Sequence, residues 1–164
     1  MTTQDNLKEA FAGESQANRK YLAFAIKADQ EGYPQVAKLF RAAAEAETVH
    51  ALNHLRILEG VGSTDDNLKA AISGETEEFR DMYPKFIKEA KNEGASDAAI
   101  MSFDVANQVE EIHAGLYQKA LDSLGNNEDV DYHVCQVCGN TVEGSAPERC
   151  QVCNAPKKMF NKVD

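Results

Sequence analysis

NLKEAFAGES at residues 6–15 and NLKAAISGET at residues 67–76 are two copies of one pattern, and reading them together decides the fold. They lie 67 − 6 = 61 residues apart. The similarity resumes at Glu47-x-x-His50 and Glu110-x-x-His113, where the offset has grown to 110 − 47 = 63. A slip of two residues is expected in an interhelical turn, where insertions cost little. The repeat implies one supersecondary unit used twice: a helix pair with one Glu on its first helix and Glu-x-x-His on its second.

Working outward, residues 5–31, 34–59, 65–93 and 95–124 are rich in Ala, Glu, Lys and Leu and are expected as four long helices. Gly32-Tyr33-Pro34, Gly60-Val61-Gly62-Ser63 and Gly94 separate them, and Gly125-Asn126-Asn127 ends the last. Residues 1–125 are thus expected as an all-α four-helix bundle. The acidic stretch through Asp131 makes 126–131 a linker, and 132–164, short and rich in Cys, Gly and Pro, a second small domain.

The 164 residues carry a formal charge of −10. A nucleic-acid surface needs clustered Lys and Arg, so that partner class is not expected. No run of 18 apolar residues could cross a bilayer and no leader pattern opens the chain, so a cytoplasmic protein is expected. All four cysteines fall in two Cys-x-x-Cys pairs, Cys135/Cys138 and Cys150/Cys153. In a reducing compartment these are metal ligands before they are disulfides.

The buried stripe of a bundle helix steps by three and four residues. In the first helix it runs Leu7, Phe11, Glu14, Asn18, Tyr21, Ala25, and it places Glu47 with His50, Glu75, and Glu110 with His113 inward on the others. Burying facing carboxylates is expensive unless a cation is present. One Glu on each of two helices, with Glu-x-x-His on each of the others, is the ligand pattern of di-iron and di-manganese carboxylate bundles, and oxygen-rich ligation with two imidazoles suits those metals. Glu45, Glu77 and Glu111 lie off the stripe and are expected to face solvent. His54, one turn past His50, is expected in the core or beside the ligands.

Glu78 breaks the repeat. It lies three residues after Glu75 and so shares its face, yet its counterpart at 78 − 61 = 17 is Ala17. The five negative charges of these carboxylates lie, in magnitude, between the +4 of two ferrous ions and the +6 of two ferric ions. Such a shell suits a redox-cycling pair better than a store.

In order and spacing, Ala12-Gly13-Glu14-Ser15-Gln16, Glu47-x-x-His50-Ala51, Gly74-Glu75-x-x-Glu78 leading to Asp81-Met82-Tyr83-Pro84, and Glu110-x-x-His113 resemble the rubrerythrin family. Residues 132–160 resemble that family's rubredoxin-like domain, including Glu143-Gly144 and Pro156-Lys157-Lys158 before Phe160. The resemblance implies a ferritin-like bundle with two non-haem irons, Glu14 and Glu75 terminal, Glu47 and Glu110 bridging, and His113 a fixed ligand. Glu78 and His50 would alternate on the other iron, and Tyr21 and Tyr83 would donate hydrogen bonds to the ligands.

On spacing alone four thiolates would most commonly hold structural zinc; the resemblance implies one electron-transferring iron instead. Asn140 stands where an aromatic residue commonly follows the first knuckle, and Gln151 where proline commonly follows the third cysteine. Together these features imply a peroxidase that reduces hydrogen peroxide to water in oxidative-stress defence, fed by an external electron donor. The alternative is a ferroxidase or iron store with a structural metal in the tail. From His113 to Leu124 is 11 residues, roughly 16 Å of helix. The two centres of one chain are therefore expected to lie too far apart for fast transfer, and the resemblance implies a head-to-tail homodimer.

Overall fold

The structure is a computed structural model and describes residues 2–163. Helix α1 (Thr3–Gln30) starts on a capping box, with the Asp5 amide donating to Thr2 Oγ1 at 3.1 Å and the Thr2 amide to Asp5 Oδ2 at 2.8 Å. Gly32, at φ 81, turns the chain into α2 (Pro34–Ile57), whose first-turn proline forfeits only an amide with no helical acceptor. Ser63 caps α3 (Thr64–Glu77) through the Asp66 amide. Five residues of π-helix, Glu78–Met82, lead directly into α4 (Tyr83–Glu93). Gly94, left-handed at φ 68, closes α4, and Ser96 caps α5 (Asp97–Asp122).

The π segment has a local cause. In an α-turn the Pro84 ring would collide with the carbonyl of residue 80, and it has no amide to donate there. Widening the turn relieves the collision, and the Tyr83 amide bonds five residues back to Glu78 O.

The same segment holds part of the repeat's slip. Tyr21, Phe24 and Phe40 form a ring cluster with centroids 5.5–6.3 Å apart. Tyr83, Phe86 and Phe103 form its duplicate at 5.7–6.4 Å. The offset is 75 − 14 = 61 at the glutamates, 83 − 21 = 62 at the tyrosines and 103 − 40 = 63 at the last phenylalanines. One inserted residue therefore lies between Glu75 and Tyr83, where the π segment is, and only the second lies toward the turn. The expectation that both sat around the interhelical turns is corrected.

By compactness the chain divides into one unit ending at Gly62 and one beginning at Ser63. This is the boundary between the repeat copies, whereas the composition change at 126–131 lies inside the second unit. In the first unit Ala25, Ala28 and Ala37 bring α1 close to α2, with Phe40 packed beside them. In the second, α3 and α4 pack along α5, and the cysteine domain folds onto α5. That domain is a three-stranded antiparallel sheet of order β2-β1-β3, from β1 (Tyr132–Cys135), β2 (Thr141–Glu143) and β3 (Phe160–Val163). Its core is Cys135, Ala146, Cys150, Ala155 and Phe160. No helix among the described residues is long and apolar enough to cross a membrane.

Candidate metal centres

Each helix pair carries one cluster of ligand atoms. Glu14 from α1 meets Glu47 and His50 from α2, and Glu75 from α3 meets Glu110 and His113 from α5, with ligand atoms in each cluster within 4.8 Å of one another. His50 Nδ1 lies 2.8 Å from Glu47 Oε2, and His113 Nδ1 lies 2.9 Å from Glu110 Oε2 and 3.8 Å from Glu75 Oε1. The i, i+3 spacing thus turns the same ring nitrogen toward the carboxylates in both copies. Beside the first cluster, Asn18 clasps α2 through the Ala44 carbonyl at 2.7 Å and Thr48 Oγ1 at 2.8 Å.

The second cluster behaves electrostatically as a site short of positive charge. Burial, the Glu110 charge and a hydrogen bond to Glu110 push the Glu75 carboxyl above its ordinary range, with His113 opposing. Burial and the neighbouring Glu75 and Glu77 charges do the same to Glu78. The Tyr83 hydroxyl is raised by burial and by the charges of Glu110, Glu78 and Glu75. Carboxyls that hold protons for want of a counter-charge surrender them to a metal cation.

Glu78 is coupled to this group by charge but is not among the three residues whose ligand atoms converge. Tyr83 stands in the same carboxylate field, whereas Tyr21 packs on Phe24 and Phe40. Each tyrosine ring is held in its aromatic cluster, Tyr21 by Phe24 and Phe40 and Tyr83 by Phe86 and Phe103. His54 is half-buried and outside both clusters. Glu45, Glu77 and Glu111 are exposed, as their place off the stripe requires.

The two histidines differ. The His50 side chain is 55% exposed and that of His113 26%. His113 Nε2 lies 3.0 Å from Thr141 Oγ1, and that hydroxyl donates to the Gly139 carbonyl at 3.2 Å. Were Nδ1 to serve as a metal donor, the ring proton would sit on Nε2, where Thr141 Oγ1 is placed to accept it. Sequence reasoning missed Thr141, since a lone threonine at a strand start carries no signal. The contact also removes a premise. The chain turns back after α5, so the cysteine domain reaches a metal-cluster histidine of its own chain, and helix length does not measure the separation of the centres. Lys119 pairs with Glu143 along the same seam.

The cysteine site fits a tetrahedral ion by its sulfur spacing. Cys135 and Cys153 Sγ lie 3.7 Å apart, and Cys138 and Cys150 Sγ 3.6 Å. The edge of a tetrahedron with ~2.3 Å metal–sulfur bonds is about 3.8 Å. Burial raises the Cys138 thiol. At Cys150 burial is outweighed by the amides of Cys153 and Val152 and the Asn140 side chain, which bring it down to about 6.

The family profile of rubrerythrin matches residues 5–121, and that of the rubrerythrin rubredoxin-like domain matches 133–161. The chain belongs to the rubrerythrin family. It is 35% identical to rubrerythrin-2 of Clostridium acetobutylicum over 96% of this chain and 95% of that one. To nigerythrin of Nitratidesulfovibrio vulgaris it is 38% identical over 97% and 85%. The solved structure of nigerythrin in its fully reduced, all-ferrous state aligns with TM-score 0.61 and 35% identity, covering 99% of this chain and 87% of that one. Rubrerythrin chains join a ferritin-like di-iron domain to a rubredoxin-like four-cysteine iron domain, and the carboxylate–histidine clusters and the four thiolates are the matching parts here. Membership makes this an iron-dependent oxidoreductase of oxidative-stress defence.

Proposed function

We propose that this chain is a peroxidase: hydrogen peroxide, two protons and two electrons become two waters, and an external donor returns the electrons through the four-cysteine domain. The bound iron pair would supply both electrons at once, so that no radical is released. Glu14, Glu47, His50, Glu75, Glu78, Glu110 and His113 would hold it, and Cys135, Cys138, Cys150 and Cys153 the single iron. The observation that carries the reading is the Thr141–His113 contact, which joins the electron-carrying domain to a cluster ligand. A store has no use for such a junction.

Within this reading Glu75, raised in pKa by burial and by Glu110, and Glu78, raised by burial and by Glu75, are the carboxyls that give up their protons as the iron pair binds. Tyr83, in the same carboxylate field, keeps its hydroxyl proton and can donate a hydrogen bond. The greater exposure of His50 than of His113 supports giving them the roles the family resemblance implies, His113 a constant ligand and His50 one that exchanges with Glu78.

Metal analysis followed by rapid mixing of reduced protein with peroxide or oxygen tests the proposal. Iron in the tail and faster oxidation by peroxide are expected; zinc in the tail, or faster oxidation by oxygen, favours the ferroxidase reading. The proposal includes a cytoplasmic homodimer. Mixing chains lacking 132–164 with Glu14→Ala chains reads the delivery route, because recovered turnover requires transfer between subunits and its absence assigns transfer within the chain.

A further inference from the structure

Among the described residues Asn140 is the one buried polar side chain, at 0% exposure, and its amide reaches into the four-cysteine site. Its carbonyl accepts the Cys135 amide at 2.9 Å, its own amide donates to Cys138 Sγ, and its side-chain Nδ2 reaches Cys150 Sγ at 3.5 Å. The two knuckles are related by pseudo-twofold symmetry, so Ala155 is its counterpart, two residues past Cys153 as Asn140 is past Cys138. Ala155 repeats the backbone part of the pattern: its carbonyl accepts the Cys150 amide at 2.8 Å and its amide donates to Cys153 Sγ. It brings only a buried methyl group where Asn140 brings a side-chain amide.

That amide is held at a cost. Asn140 Oδ1 is buried without a hydrogen-bond partner, and a buried polar atom left unpaired forfeits its hydration. An apolar residue would fill the same place without the penalty, so packing alone does not account for an asparagine. What the side chain adds is one N–H dipole aimed at one sulfur. The four-thiolate site gains a negative charge when its iron is reduced, and much of that charge resides on sulfur. Hydrogen bonds to the sulfurs therefore favour the reduced state and raise the potential.

We infer that Asn140 is a potential-setting residue, whose side-chain N–H to Cys150 makes the four-cysteine iron easier to reduce than the pseudo-symmetric backbone bonds alone would. The inference rests on the proposed electron-feeding role of this domain. There it has a direct use: the tail fills readily from an outside donor and releases its electron only to a strongly oxidising partner such as the peroxide-oxidised helical domain.

The test is a redox titration of the iron-loaded full chain, followed by the visible absorption of the four-cysteine site, after metal analysis. Asn140→Leu, similar in size and without a donor, is expected to shift the one-electron equilibrium about tenfold toward the oxidised form, a drop of about 59 mV. Asn140→Ala should move the same way. A merely structural role would lower the melting temperature or metal retention and leave the potential of the loaded site in place, and that result overturns the inference. A second measurement needs no variant: in cadmium-113-loaded wild-type protein, scalar coupling between the metal and the Asn140 side-chain amide protons is expected, and its absence overturns the inference as well. A tail that takes zinc and refuses iron brings down the electron-feeding role and the inference together, whereas an iron-loaded tail with an unshifted potential brings down the inference alone.

Discussion

Replacing Thr141 by valine removes one oxygen and keeps the branched shape that β2 requires. The oxygen lost is the acceptor 3.0 Å from His113 Nε2, and with it goes the bond onward to the Gly139 carbonyl. Losing the partner of a metal-ligating histidine typically costs 10- to 100-fold in metal affinity, roughly 1.4–2.7 kcal/mol. The His113 side chain is 26% exposed, so water can replace part of the bond, and the expected loss falls at the lower end, about tenfold. The assay is anaerobic ferrous titration of the apo full chain against a competing chelator, with Thr141→Ser as the rescue because serine retains the hydroxyl. The valine variant should bind one of its irons about tenfold more weakly and the serine variant nearly as wild type. Equal affinity in all three proteins would refute the idea that the cysteine domain braces a ligand of the helical domain.

Other outcomes follow from the same geometry. Glu78→Ala should fold and take up ferrous iron much as wild type, yet react with peroxide at least about tenfold more slowly, as rapid mixing would register. Glu75 and Glu78 have folded-state pKa values raised above their ordinary 4.5, so the apo protein binds more protons folded than unfolded. Their contribution to stability is full below 4.5 and is lost as pH rises through the raised folded values. Thermal melts of apo protein from pH 4.5 to 7 should show this decline, Glu78→Gln should flatten it, and iron loading should remove it. Cys150→Ala should abolish the visible bands of the tail and leave helical circular dichroism nearly intact, since the helices and the cysteine domain have separate cores; a collapse of helicity would contradict this.

The helices and ligand clusters were legible because their signals are periodic and local. Expected spans of 34–59 and 95–124 became Pro34–Ile57 and Asp97–Asp122, differing only at the ends where last turns fray. Glu47 with His50 and Glu110 with His113 converge because i, i+3 spacing dictates it on any helix. Tyr21 was less legible: its stripe position fixed which way it faces, and of the two rings that hold it Phe24 is local while Phe40 comes from the next helix. Thr141 was invisible, since its importance arises from a strand folding back on a helix 28 residues earlier. Asn140 drew notice only as a departure from an aromatic, and its chemistry appeared once its neighbours were sulfurs.

The single residue inserted between Glu75 and Tyr83 has a consequence for ancestry. Two identical helix pairs would carry the same side chains around their glutamates, and their ligand clusters would be chemically alike. By widening one turn, the insertion sets Glu78 in a place where the other copy offers Ala17 or Gln16. One added residue after duplication is enough to make the two ligand clusters chemically unlike. Deleting one residue from Glu78–Met82 would be a small experiment in reversing that history.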